Sequence, residues 1–398
     1  MRIAVVTETY PPEVNGVART MGQIVETLLA RGHSVELTRP ARRPGRREAA
    51  AAGERFSEHF MRGLSIPRYA ELQMGFALPG ALAKRWRAVR PDVVHVVTEG
   101  PLGWAAVIAA RRLGIPLSSG FHTNFHAYSR HYGIGMFAGG VMRLLRTMHN
   151  LCDATLVPTE ELRQALARRG FERLAVVGRG IDLGLFNPAR RSASLRAQWG
   201  CKADEPVVLH VGRLAPEKNL RLFVEAALAV RKARPDARVA LVGDGPDAAA
   251  LREAHPDFVF AGTRRGADLA AHYASADLFL FPSVTETFGN VTTEALASGL
   301  AVAAYDYAAA RQHIVDGESG LLVPLGDEEG FVAAAQTLAR SAHTVERLRK
   351  NAVLVASRLG WPRVIDEFER VLAGVVAHPR TGAADCEERS GLSNRETA

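Results

Sequence analysis

The sequence predicts an α/β protein made of two doubly wound, parallel-sheet domains, and three observations carry that expectation. Short β-rich runs recur, each followed by a longer helical pattern. The series halts at a turn-rich, charged stretch and then begins again. At 398 residues the chain is too long for one comfortable core and suits two.

The first series opens with RIAVVT, passes through VARTMGQIVETLLARGH to SVELT, and continues with DVVHVV, PLGWAAVIAARRLG, PLSSGFHT and ATLVPT. Strands alternating with helices of this length imply parallel βαβ units covered on both faces. Pro101 fits a first-turn position and Gly114 sits just past the last helical residue. After GRGIDLGLFNPARRSASLRAQWGCKADEP the second series runs VVLHVGR, ARVALVGDG, DFVFAGT, LFLFPS, AVAAY and SGLLVP. The boundary is expected between Asp182 and Pro188, with an N-terminal domain over 1–185 and a C-terminal domain over 186–360. Two such domains in tandem leave a cleft at the carboxyl ends of their strands, where these sheets bind ligands. The amphipathic WPRVIDEFERVLAGVVA (361–377) could pack on either domain, and 378–398 reads as a flexible tail.

Composition narrows the function classes. A hydrophobic content of 47% excludes a disordered chain. No run reaches the roughly 18–20 apolar residues of a membrane span, and MRIAVVTETYPPE enters a strand pattern at once, so a soluble, cytoplasmic protein is expected. Cys152, Cys201 and Cys386 are widely spaced and odd in number, which indicates neither a disulfide framework nor a cysteine zinc site. Residues 1–180 hold 25 Lys+Arg against 14 Asp+Glu, a local excess of +11 within a net +8. That excess suits an anionic partner, nucleic acid or anionic lipid. General arginine usage explains it equally, since only five of the 50 basic residues are lysines.

Several loops carry chemistry. Gly243, Gly245 and Ala248 match a G-x-G-x-x-A dinucleotide fingerprint, but the next strand, DFVFAGT, ends in Ala261 and Gly262 with no acid for the ribose, so NAD is set aside. HVGRLAPEKNL places Arg213 and Lys218 between a strand and a helix, where free backbone N–H groups already favour phosphate. Two fixed cations there suit a diphosphate and its departure as a leaving group. ETFGNVTTE spans another strand-to-helix loop. Glu294 is read as lying in the first helical turn, favoured by the helix dipole, whereas Glu286 has no such structural reason. A carboxylate accepts hydrogen bonds from vicinal hydroxyls, as on a sugar or ribose, and Gly289 lets backbone approach the ligand. Gly16 makes a glycine turn in the first half. His122, His126 and His131 lack zinc-motif spacing, so no metal is expected, and His122 alone, at a strand's carboxyl end, is the functional candidate.

Together, Asn15 and Gly16, FHTNFH, GRLAPEKN, GDGP and the E-x7-E of Glu286 and Glu294 resemble the retaining glycosyltransferases of family 4, over Met1 to about Ala377. The resemblance implies the GT-B fold, two Rossmann-like domains facing a cleft, with the C-terminal helix packed back on the first. It implies a nucleotide-sugar donor as substrate, no cofactor, no nucleic acid, and a glycolipid or glycan acceptor. Arg213 and Lys218 are then assigned to the pyrophosphate and Glu294 to the ribose. Glu286, with the backbone of Phe288, Gly289, Asn290 and Val291, orients the sugar; His122 contacts it, and Gly16 lets its loop reach the phosphates. No Asp-x-Asp occurs. TETYPPEVNGVART and FHTNFHAYSRHYG look most like GDP-mannose-dependent α-mannosyltransferases, with UDP-dependent glucosyl- or sulfoquinovosyltransferases next. RPARRPGRR and MFAGGVMRLLRTMHN suit peripheral contact with the anionic inner face of a membrane, or simply a solvated arginine face. A nucleotide-sugar epimerase, a phosphorylase and an inactive sugar-binding partner are the alternatives from other classes.

Overall fold

The computed structural model describes residues 1–13, 15–41, 53–66, 69–122, 138–202 and 204–379. Among them the chain forms two compact units, one of residues 1–122, 138–178 and 365–379, the other of residues 179–364.

In the first unit the strands are β1 (Arg2–Val6), β2 (Ser34–Pro40), β3 (Phe56–Ile66), β4 (Tyr69–Phe76), β5 (Val93–Val96), β6 (Leu117–Gly120), β7 (Ala154–Val157) and β8 (Leu174–Val176). They form one sheet in the order β4-β3-β2-β1-β5-β6-β7-β8. Pairing is parallel, with Ile3 opposite both Val35 and Val93, until β4 turns antiparallel to β3. Helices α1 (Gly16–Ala30), α2 (Pro79–Val89), α3 (Pro101–Leu113), α4 (Ala138–Asn150) and α5 (Glu160–Ala167) connect them. Local chemistry sets their ends: Pro101 opens α3, and Gly114 closes it in the left-handed region at φ 63°. The β3–β4 hairpin and β8 are absent from the sequence expectation, because FSEHFMRGLSI lacks the β-branched run that marks a covered strand.

The second unit is an all-parallel sheet of β9 (Val207–Val211), β10 (Arg238–Val242), β11 (Val259–Gly262), β12 (Leu278–Phe281), β13 (Ala301–Tyr305) and β14 (Leu321–Val323), ordered β11-β10-β9-β12-β13-β14. Numbered within the unit this is 3-2-1-4-5-6, and the strand order reverses between β9 and β12. Helices α6 (Ala193–Gln198), α7 (Leu220–Ala233), α8 (Ala248–Ala254), α9 (Gly266–Ser275), α10 (Asn290–Ala297), α11 (Ala308–His313), α12 (Glu328–Arg340) and α13 (Ala342–Ala356) accompany it. Successive residues point to opposite faces, so Leu209 and Phe279 enter one core while Val208 and Leu278 enter the other.

The amino ends of β9 and β12 are anchored by one acid. Asp277 accepts from Arg191 and Arg196 at 2.9 Å, from Arg349 at 3.0 Å and from the Val207 amide at 2.9 Å. A buried acid so fully satisfied fixes the base from which both strands rise toward their carboxyl ends. The last helix, α14 (Trp361–Ala377), belongs to the first unit from Ile365 onward. Arg31 holds Asp366 and Glu369 at 2.6 Å, His33 meets Glu369 at 2.8 Å, and Phe368 packs edge-on to His95 at 5.1 Å.

Candidate active site

Beyond β9 the chain passes Gly212 and Arg213 into a short 3-10 turn, Pro216–Lys218, and enters α7 through Asn219, itself left-handed at φ 52°. The adjacent GDGP loop braces this segment. Leu214 N donates to Asp244 O and Asp247 N to Leu214 O, both at 3.0 Å. A Cβ on Gly243 would lie 1.9 Å from Gly212 O, and one on Gly245 2.3 Å from Leu214 O. The glycines that imitate a dinucleotide fingerprint therefore let two backbones touch, which holds the loop carrying Arg213 and Lys218.

Lys218 reaches across the reversal point of the sheet. Its ammonium ion-pairs with Glu286 Oε1, which also accepts from Ser283 Oγ at 2.7 Å, and it lies 5.6 Å over the Phe281 ring at the end of β12. Lys218 and Glu286 are 16% and 15% exposed. Both bonds fall on Oε1, and among the described residues Oε2 has no hydrogen bond. Arg213 is more open, 51% exposed, and pairs with Glu217 at 3.7 Å. His210 is buried below, and burial together with the Lys218 charge pushes its imidazole down to about 3, so the group beneath the lysine is neutral.

The loop after Glu286 is held by its own backbone. Phe288, 1% exposed, lends its carbonyl to Ala309 N at 2.7 Å, and Gly289 caps α10 at φ 93°. Asn290 opens the helix, its Oδ1 buried without a partner among the described residues, and Val291 follows it. Because α10 starts at Asn290, Glu294 lies in its second turn. The first-turn expectation is thereby corrected: the dipole does not account for this acid. Glu294 is 5% exposed and accepts from Tyr273 Oη at 2.9 Å.

In the first unit, Gly16 is not a turn residue but the exposed first residue of α1, behind Asn15, whose Oδ1 accepts from Ala18 N at 2.8 Å. His122 follows β6 with its ring against Gly120, where a Cβ would lie 2.5 Å from Nε2. His126, His131, Tyr128, Arg130, the arginines of 42–47 and the tail beyond 379 lie outside the described residues. Among the described residues no group of three His, Cys, Asp or Glu side chains could hold a metal, and no helix is long and apolar enough to cross a membrane.

One acid escaped the sequence reading. Glu8 stands just past β1, beside β5, the corresponding reversal point of the first sheet. Its Oε1 accepts from Gly75 N at 3.2 Å and its own amide donates to Thr98 Oγ1 at 2.9 Å. Gly100 has no room for a side chain, since a Cβ would lie 2.0 Å from Glu8 Oε2. Burial pushes the carboxyl up to about 7, the backbone amides of Gly75 and Leu102 oppose this, and the Glu99 charge adds to it. The signal was present in VVTET, an acid immediately after a strand, but its burial is made by residues distant in sequence. A raised carboxyl stabilises the fold fully below its ordinary value of 4.5, and that contribution is lost as pH rises toward 7. Glu8→Gln is thus expected to match the parent below pH 4.5 and to exceed its stability at pH 8 by about 3 kcal/mol. Denaturant unfolding at a series of pH values checks this, and parallel curves would refute it.

The family profile described as Glycosyltransferase Family 4 matches residues 14–185, and that described as Glycosyl transferases group 1 matches 205–341. Among the relatives, a GDP-mannose-dependent alpha-mannosyltransferase of Mycobacterium tuberculosis is 36% identical over 374 residues, 92% of this chain and 95% of that protein. The chain belongs to glycosyltransferase family 4. This glycosyltransferase is also 30% identical over 309 residues to a sulfoquinovosyl transferase of Arabidopsis thaliana, across 75% of the chain and 60% of that protein. Of solved structures, the Anabaena protein HepE in complex with UDP aligns with TM-score 0.74 at 20% identity, over 94% of this chain and all of that one. That likeness shows the fold, GT-B, with its two parallel-sheet α/β domains.

Proposed function

We propose that this glycosyltransferase moves mannose from GDP-mannose onto a lipid-linked or glycan acceptor, with retention and an α linkage. The observation that carries the reading is the ion pair of Lys218 and Glu286 at the reversal point of the second sheet, in a chain 36% and 34% identical, over 92% of its length, to two proteins named for GDP-mannose. Arg213 and Lys218 hold the donor diphosphate and stabilise it as it departs. Glu286, with the backbone of Phe288 to Val291, orients the sugar through its hydroxyls, and Glu294 serves the ribose. Gly16 and His122 are the first unit's candidates, one for phosphate and the other for the sugar. The bond from the anomeric carbon to phosphate oxygen breaks and the bond to the acceptor oxygen forms on the same face. The acceptor proton passes to the departing phosphate oxygen, so no cofactor takes part.

A glycolipid acceptor is favoured by a relative 28% identical over 349 residues, named alpha-monoglucosyldiacylglycerol synthase, from Acholeplasma laidlawii. The exposed Arg143, Leu144 and Arg146 of α4 suit an anionic leaflet at the inner face of the membrane. The second reading, transfer from a UDP sugar, is favoured by the Arabidopsis relative's name. Incubation with GDP-mannose, UDP-glucose or UDP-sulfoquinovose plus lipid extract separates them. Acceptor-dependent GDP release from GDP-mannose is expected. Acceptor-dependent UDP release instead favours the second reading. Release without acceptor points to an epimerase or hydrolysis, and binding without release to an inactive partner.

A further inference from the structure

Arg179 stands between Gly178 and Gly180 at the start of the second unit. Its backbone is clamped: a Cβ on Gly180 would lie 2.6 Å from the Trp361 ring. The guanidinium carbon lies 5.9 Å from the centre of the Phe288 ring, and the charge acting on it is that of Glu286. Thus it lies beside the loop that carries the proposed sugar contacts.

What sets this arginine apart is that its donors find no acceptor among the described residues. A guanidinium carries five N–H groups, and buried ones are normally satisfied. The terminal nitrogens of Arg196 in the same unit show the rule, donating to Ser275 O, Asp277, Lys202 O and Glu205 O. Among the described residues Arg179 Nε is buried without a partner, and the rest of the half-buried side chain makes no hydrogen bond. Burial pushes it down to about 10, with Glu286 acting in the opposite direction, so it stays cationic at neutral pH. A fixed cation whose donors meet no acceptor among the described residues, beside an acid whose Oε1 is held by Lys218 and Ser283, suits an oxyanion brought by a ligand.

We propose that Arg179 is a third cation of the donor site, donating to an anionic oxygen of the nucleoside diphosphate; this rests on the nucleotide-sugar reading of that site. Calorimetric titration of the full chain and its Arg179→Ala and Arg179→Lys variants with GDP and with guanosine tests it. Arg179→Ala is expected to weaken GDP by about tenfold or more while leaving guanosine unchanged, because a hydrogen bond between ions is the strong kind. Arg179→Lys, which keeps the charge and covers the case in which the alanine variant does not fold, is expected to lose less than alanine and still more than about threefold, as one ammonium replaces the fork. GDP affinity within about threefold of the parent in both variants overturns the proposal, as does an equal loss for guanosine. If the parent itself binds neither GDP nor UDP, the nucleotide-sugar reading fails and this inference with it; parental binding with unchanged variants sinks only the role of Arg179.

Discussion

Glu286→Ala is expected to lower sugar transfer by on the order of a thousandfold, since one preorganised polar group acting on the reacting centre commonly supplies that much. The fold should survive, because the side chain lies on a loop whose anchors are the backbone of Phe288 and Gly289 and the buried Phe288 ring, none of which the change touches. The measurement is acceptor-dependent nucleoside diphosphate release alongside thermal unfolding. A variant within about tenfold of the parent, with unchanged unfolding, removes Glu286 from the sugar-orienting role.

Lys218→Ala acts on the other half of the same pair. It deletes a cation proposed for the diphosphate and leaves Glu286 with Ser283 as its hydrogen-bond partner. Nucleoside diphosphate affinity should fall about a hundredfold, in the range of a charge-assisted contact. Because the two side chains touch, the Lys218→Ala, Glu286→Ala double variant should cost less than the sum of the singles. Calorimetry with GDP and steady-state rates provides both values. Unchanged GDP affinity in Lys218→Ala would show that the phosphates rest elsewhere.

The sheet cores were legible because covered parallel strands write themselves as continuous apolar runs, VVLHV and LFLF among them, and Pro101 and Gly114 punctuate a helix by chemistry that needs no tertiary partner. The β3–β4 hairpin was not legible, since its pairing depends on neighbours more than on its own composition. Site loops could be found by position, after strands and before helices. Who meets whom could not: Lys218 and Glu286 are 68 residues apart, and their contact follows from β9 and β12 being adjacent in a reversed order that spacing does not reveal. Glu294 was misplaced by a turn because a left-handed glycine, not a polar side chain, begins its helix. Glu8 and Arg179 were overlooked because their chemistry comes from burial by distant residues.

The internal pairing of Lys218 with Glu286 bears on turnover. On the proposed assignment, an arriving phosphate meets an ammonium already partnered by a carboxylate, so its attraction for the leaving nucleotide is weaker than a bare cation would exert. On the same reading, no naked charge is stranded when product departs. The unliganded pair is thus a cation with its own counterion, which the proposed reading makes a built-in competitor against product inhibition.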